Sequence, residues 1–227
     1  MIKAVVFDLD DTLYQEIDYV KSGYSAVAKV IENKYGILNA EDELMSLFKE
    51  NHACVFDRFL SIHNLSVTSQ TVGELVELYR NHTPNIKLDE RTEELLTSLR
   101  MKGYKLGIIT DGRPKGQRAK IESLGLINLV DKIVITDELG GVEYRKPNPK
   151  AFEMVCDAFG IQPKELLYVG DNPQKDFAIK KFLPVTTAQI VTEEKTLYSD
   201  EDFLYNIKSD MIIGDLYEII KALCGEK

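Results

Sequence analysis

A chain of 227 residues that is 44% hydrophobic, with 14 glycines and 7 prolines, is long enough for one sizeable core or for a core domain carrying a smaller insertion, and its composition excludes disordered and collagen-like chains. Twenty-eight basic against 37 acidic side chains give a net charge of -9, so no nucleic-acid or membrane-surface partner is expected. Cys54, Cys156 and Cys224 are odd in number, far apart and in no CxxC pair, which argues against a disulfide framework or a zinc site and for a reduced, cytoplasmic setting. No apolar run approaches the roughly 20 residues needed to span a bilayer, and a strand-like segment beginning by Ile2 leaves no room for a signal peptide. The pattern specifies no oligomeric state.

In chain order, Lys3-Ala4-Val5-Val6-Phe7 is a short β-branched run ending at Asp8, and it predicts a buried first strand of a parallel sheet. From Tyr14 to Tyr79 the spacing turns helical, through Val20, Tyr24, Val27, Ile31, Leu44, Leu47, Phe48, Phe56, Phe59, Leu60, Val72, Leu75, Val76 and Tyr79. Thr83-Pro84-Asn85 breaks that run. Strand and helix patterns then alternate. A helix is predicted from Asp89, as cap, to Met101, ended by Gly103, followed by a strand over Tyr104 to Ile109. A helix near Pro114 to Leu124, a strand near Lys132 to Ile135 and a helix from Pro149 to Phe159 come next. The strand Leu166 to Val169, a helix near Gln174 to Lys181, a strand near Val185 to Val191, a short Met211-Ile212-Ile213 strand and a helix through Leu216 to Leu223 complete the chain. The expected fold is α/β, a Rossmann-like parallel sheet with helices on both faces, formed by residues 1–13 and 84–227, with an inserted all-α domain at 14–83.

In such a sheet, ligands bind beyond the carboxyl ends of the strands. The polar residues there are Asp8, Asp10 and Thr12 after the first strand, Thr110-Asp111-Gly112 after the second, and Asp171 with Asp176 after Val169, joined by Lys146 from a loop. Asp8 and Asp10, two apart on an extended segment, lean to one side, so that one can attack phosphorus while the other moves a proton. Asp8, Asp10, Asp171 and Asp176 repel one another unless compensated, and Lys146 with a hard divalent cation, Mg²⁺, leaves roughly one negative charge. Thr110 offers a hydroxyl to a phosphoryl oxygen, and the Asp111-Gly112 turn can aim backbone N–H groups at the same group.

The segments Phe7-Asp8-Leu9-Asp10-Asp11-Thr12-Leu13, Ile109-Thr110-Asp111-Gly112, Arg145-Lys146-Pro147 and Gly170-Asp171-Asn172-Pro173-Gln174-Lys175-Asp176 together resemble the four motifs of the haloacid dehalogenase superfamily. The resemblance implies Asp8 as nucleophile, Asp10 as acid/base, Thr110 as phosphate ligand and Lys146 as charge stabiliser. It implies Asp171 as a Mg²⁺ ligand beside Asp8 and the Asp10 carbonyl, and Asp176 as an outer acid or occasional ligand. The helical insertion resembles the family's substrate-selecting cap. Two departures stand out. Asp111 occupies a position more often Asn, and Phe182-Leu183-Pro184 replaces a small-residue turn.

Within the superfamily, Asp10 argues for phosphate over halide, because halide leaves without a proton, and over phosphonate chemistry, which has a small residue there. The expectation is a Mg²⁺-dependent phosphatase acting on a small phosphorylated metabolite, a sugar phosphate or nucleoside monophosphate. A sugar phosphomutase and a non-catalytic phospho-ligand binding protein are the alternatives. Lys21, Arg58, Arg80 and His82 of the insertion, with Tyr14, Arg113 and Lys115, are candidate substrate contacts, although surface roles are the commoner fate of such residues. His52, His63 and His82 lack metal-like spacing and are expected at the surface or at helix ends.

Overall fold

The computed structural model of the chain describes residues 1–191 and 203–224. The apolar runs form β1 (Ala4–Phe7), β2 (Lys105–Thr110), β3 (Lys132–Ile135), β4 (Leu166–Gly170), β5 (Thr186–Ile190) and β6 (Met211–Ile213). All pair in parallel, in the order β3-β2-β1-β4-β5-β6. Every residue of β1 and β4 is buried, which is why both read as continuous apolar stretches rather than alternating ones. From β1 the chain runs outward through β2 to β3, then returns to β4 on the other side of β1 and runs outward to β6, the doubly wound order of a Rossmann-like sheet with helices on both faces.

The chain divides into two compact units, Met1–Gln15 with Lys87–Lys227, and Glu16–Ile86. The second unit is helical: α1 (Glu16–Tyr35), α2 (Ala40–Glu50), α3 (Val55–Ile62) and α4 (Ser69–Asn81). Its core is built from the helically spaced residues, with Val27, Ile31, Leu44, Phe59 and Leu60 buried and Phe48, Val72, Val76 and Tyr79 packed around them. Tyr24 sits between Phe48, Phe56 and Tyr79, with ring centroids 6.0, 5.9 and 5.3 Å away. Gly23 makes this packing possible, since a Cβ there would lie 2.4 Å from the Tyr79 ring. At the start of α4 the Thr68 and Thr71 side chains bond each other's backbone N–H groups in a reciprocal cap.

The first unit carries α5 (Glu90–Met101), α6 (Pro114–Ser123), α7 (Lys150–Phe159) and α8 (Glu218–Cys224) around the sheet. Phe152 and Val155 of α7 pack on Val6, Ile109, Val134 and Tyr168. Cys156 is in the same cluster, and burial pushes its thiol up to about 11. Cys54 and Cys156 are free thiols. No helix among the described residues is long and apolar enough to cross a membrane.

Three local expectations need correction. Asp89 occupies the N-cap of α5 and its carbonyl accepts the Glu93 N–H at 3.0 Å, but its side chain makes no capping bond. Pro149 is the N-cap of α7 rather than a residue of its first turn. The helix expected over Gln174 to Lys181 is only a 3₁₀ turn, Ala178–Lys181. Side chains claim the backbone there: Asn172 Oδ1 accepts from the Gln174 N–H at 2.9 Å, and Asp176 Oδ2 from the Asn172 N–H at 2.9 Å. Beyond it, Leu183 tucks against the α7 cluster while Phe182 stays exposed, so the unusual Phe182-Leu183-Pro184 turn reaches β5 by burying one apolar residue instead of shrinking.

Candidate active site

Register sets the site. Phe7 pairs with Ile108 on one side and Val169 on the other, so the residues just beyond β1, β2 and β4 emerge together at the point where strand order reverses. The Asp8 N–H still bonds the Val169 carbonyl at 2.8 Å. The chain then turns, with the Leu13 N–H on the Leu9 carbonyl and Asp11 at a φ of 55°, a conformation aspartate tolerates better than most side chains.

Asp8, Asp171 and Asp176 are all buried, and each offers a carboxylate oxygen within 4.8 Å of the other two. Asp8 Oδ1 accepts the Leu9 N–H at 2.8 Å and lies 2.9 Å from Lys146 Nζ. Its Oδ2 is buried with no hydrogen-bond partner. Such an atom is costly unless something binds it, and hard carboxylate oxygens are the donor set a divalent oxygen-seeking cation prefers. Asp8 and Asp171 therefore fit as side-chain ligands. Asp176 is more committed: its Oδ1 faces Lys146 Nζ at 2.8 Å and the Tyr168 hydroxyl at 3.3 Å, while Oδ2 holds the Asn172 N–H. Gly170 admits it, since a Cβ there would lie 2.5 Å from Asp176 Oδ2.

Lys146 is the hub. Its ammonium is fully buried and reaches Asp8, Asp176 and the Tyr168 hydroxyl, the last at 2.8 Å. Burial pushes the Lys146 ammonium down, but Asp176 and Asp8 outweigh it and hold its pKa well above the ordinary lysine value. Burial likewise pushes Asp8 up, while Lys146 and Lys175 pull it further the other way, leaving it below the ordinary carboxylate value. For Asp176 burial wins, helped by the neighbouring Asp8 charge, and its pKa is raised.

The Asp10 carboxylate is held apart from that cluster. Lys120 Nζ lies 2.7 Å from Oδ1, the Tyr14 hydroxyl donates to Oδ1 at 2.5 Å, and Gln117 Nε2 donates to Oδ2 at 2.9 Å. Thr110 is buried at the end of β2 and accepts from Gln117 Nε2 at 2.6 Å, which leaves its own hydroxyl hydrogen free to be donated.

Asp111 matters more than its backbone alone suggests. Its Oδ1 accepts the Thr136 hydroxyl at 2.9 Å and the Lys146 N–H at 3.1 Å, tying the loop that carries Lys146 to the end of β2. An asparagine carbonyl could accept the same two bonds, which explains why Asp can stand where Asn is usual. Gly112 forms the bend just beyond Asp111. Its φ of 134° and the 3.3 Å that would separate a Cβ from Gln117 Cγ show what the glycine supplies: a turn and room for Gln117.

Sequence reasoning missed Gln117, Lys120, Lys175 and the role of Tyr14. Gln117 and Lys120 stand three apart on the buried face of α6 beside Ile121, and polar residues in a core stripe were the available signal. Lys175 Nζ is 3.8 Å from Asp8 Oδ2 and 3.6 Å from Asp111 Oδ2. Lys120 and Lys175 change the charge balance: with a divalent cation bound, the site no longer carries the net negative charge inferred from sequence, and a phosphate dianion is accommodated more readily.

The other candidates are engaged elsewhere or lie at the surface. Lys21 pairs with Asp18 and Arg80 with Glu77. Arg58 donates to the Leu47 carbonyl at 2.6 Å and to that of Asn51, and Arg113 and Lys115 are exposed. His82 ends α4 as expected, but it is buried, with Nδ1 2.6 Å from the Tyr79 carbonyl and Nε2 3.1 Å from the Ser22 hydroxyl. His63 ends α3 beside Glu43, and His52 is exposed and stacks on Phe48.

Asp137 supports the Lys146 loop by accepting both arms of Arg145 at 2.7 Å. The hydrogen bond from Arg145 holds Asp137 below the ordinary carboxylate value. Its stabilising contribution is therefore complete above the ordinary value and is lost as pH falls through the lowered one. The melting temperature of Asp137→Asn protein is expected to lie below that of wild type near neutral pH, and the gap should close as both are titrated into that acidic window.

A Rossmann-like sheet that gathers carboxylates and an ammonium at its switch point defines an α/β enzyme working from side chains at strand ends. The chain belongs to the haloacid dehalogenase-like hydrolase family, whose model matches residues 5–188. It is 34% identical over 233 residues to the glyceraldehyde 3-phosphate phosphatase of Pyrococcus furiosus, covering 98% of this chain and 93% of that one. It is 31% identical over 149 residues to the phosphoserine phosphatase of Thermus thermophilus, covering 66% of this chain and 56% of the relative. Among solved structures, a HAD phosphatase from Thermococcus onnurineus matches with a TM-score of 0.61 at 28% identity, over 99% of each chain.

Proposed function

We propose that the protein is a Mg²⁺-dependent phosphomonoester hydrolase that acts on a small phosphorylated metabolite through a phosphorylated Asp8. The observation that carries this reading is the Asp8 carboxylate, with one oxygen held by Lys146 and the Leu9 N–H and the other buried without a hydrogen bond, while a second aspartate, Asp10, is held independently nearby. Asp8 attacks phosphorus as the P–O bond to the alcohol breaks, and protonated Asp10 gives its proton to the departing oxygen. Asp10, now a carboxylate, takes a proton from the water that attacks the phospho-aspartate, and the Asp8 carboxylate is restored. Thr110 donates its hydroxyl to a phosphoryl oxygen, and Lys146 neutralises charge on Asp8 throughout. Asp8, Asp171 and the Asp10 main-chain carbonyl would hold Mg²⁺, backed by Asp176, and when bound it supplies charge neutralisation at the phosphoryl oxygens.

The name of the Pyrococcus relative makes triose phosphates the first substrates to test, followed by other sugar phosphates, phosphoserine and nucleoside monophosphates. The helical unit Glu16–Ile86 is the proposed substrate-selecting cap, and a reducing, cytoplasmic setting is part of the same reading. Phosphate release from that panel is expected to require Mg²⁺ and to stop with EDTA. Mg²⁺ should also raise the melting temperature of wild type but not of Asp171→Asn protein. Metal-independent release, or no release from any ester by folded protein, would overturn the proposal.

A further inference from the structure

Helix α6 places Gln117, Lys120 and Ile121 on its buried face. An apolar residue would cost nothing there, whereas a buried ammonium is costly unless it is paired. The Lys120 side chain is 5% exposed and lies 2.7 Å from Asp10 Oδ1. Gln117, one turn earlier, divides its amide between Asp10 Oδ2 at 2.9 Å and Thr110 Oγ1 at 2.6 Å. Both oxygens of one carboxylate are thus fixed from a single helix face, and Gly112 leaves the space that Gln117 occupies.

We propose that Lys120 and Gln117 are positioning residues for Asp10, a role that rests on the phosphatase reading above. Lys120 fixes the carboxylate at Oδ1 and Gln117 at Oδ2, so that rotation about the Asp10 side chain is blocked and one orientation serves both proton transfers. In the first, the Asp10 proton passes to the alcohol oxygen as that oxygen takes the P–O electron pair. In the second, a proton passes from water to Asp10 as the water oxygen bonds to phosphorus and the Asp8–P pair returns to Asp8. A carboxylate free to swing would spend part of each turnover out of reach of those oxygens, and small misplacements are costly in rate. Gln117 also links Asp10 to Thr110, so the group that moves the proton and the group proposed to touch the phosphoryl oxygen are held in fixed relation.

The test compares kcat and KM for glyceraldehyde 3-phosphate and p-nitrophenyl phosphate, with Mg²⁺, in wild type, Lys120→Met, Lys120→Arg and Gln117→Leu, and repeats Lys120→Met and Gln117→Leu in an Asp10→Asn background. Lys120→Met and Gln117→Leu are each expected to lower kcat about tenfold or more with KM changed less than about threefold, and Lys120→Arg to recover part of the loss. With Asp10→Asn already present, Lys120→Met should cost less than about twofold, because there is no proton-transferring group left to position, and Gln117→Leu should cost less than it does in wild type, keeping only its effect on Thr110. An unchanged kcat in either variant would overturn the proposal, as would an equal loss in the Asp10→Asn background. If Lys120→Met does not fold by circular dichroism, Gln117→Leu, which removes no charge, decides the question. Inactive wild type would remove the phosphatase reading itself, and this proposal with it.

Discussion

Asp8→Asn protein is expected to release phosphate about four orders of magnitude more slowly than wild type, or not at all, while remaining folded. An amide is a poor nucleophile, so the covalent step has no substitute. The structural cost is small: the asparagine carbonyl can still accept the Leu9 N–H that Asp8 Oδ1 takes at 2.8 Å, and Lys146 keeps Asp176 at 2.8 Å. The change does remove a charge that Lys146 and Lys175 favour, Lys175 Nζ lying 3.8 Å from Oδ2, so without metal the variant should melt below wild type near neutral pH. A folded protein with its activity lost separates chemistry from folding. The result is read by phosphate release, by melting curves without metal, and by acid-quenched wild type, which should carry substrate-derived phosphate that the variant does not. Full activity in folded Asp8→Asn protein would defeat the mechanism.

The sheet was legible because β1 and β4 are buried on both faces and therefore appear as continuous apolar runs, and the residues just past them inherit a fixed register. Asp8, Asp171 and Lys146 could be singled out for that reason, since the position of each follows from a strand end or from a motif beside one. The local path near Asp176 was not legible. Whether Gln174 to Lys181 forms a helix depends on competing bonds from the Asn172 and Asp176 side chains, and composition does not weigh those. Gln117 and Lys120 escaped for a different reason. A helix face is read from its apolar residues, and α6 buries a glutamine and a lysine where that pattern looks for hydrocarbon. Their meaning depends on Asp10, which is distant in sequence.

Lys146→Met is expected to be the most damaging single change to stability as well as to rate. The ammonium lies within 2.9 Å of Asp8 Oδ1, Asp176 Oδ1 and the Tyr168 hydroxyl, with its side chain wholly excluded from solvent. Methionine fills much of the volume but leaves two buried carboxylates with only the more distant Lys175, 3.8 Å from Asp8 Oδ2, to offset them, a defect that costs about 3–5 kcal/mol. At about 2–4 °C per kcal/mol for a chain of this size, the melting temperature should fall by roughly 6–20 °C. The sign of the pH dependence distinguishes this cause from a packing defect. Without Lys146, burial is opposed less, so the folded-state pKa of Asp8 rises and that of Asp176, already raised, rises further. The native state then binds protons more readily, so the destabilisation is full above those raised values and shrinks as pH falls through them. Measured with EDTA present, the melting-temperature gap between wild type and Lys146→Met should narrow on acidification, and added Mg²⁺ should narrow it near neutral pH. Lys146→Arg, which restores the charge in a group too large for the enclosed space, should recover part of the stability and little of the rate. A gap independent of both pH and Mg²⁺ would show that the lysine is held there for packing, and would remove the electrostatic account of the site.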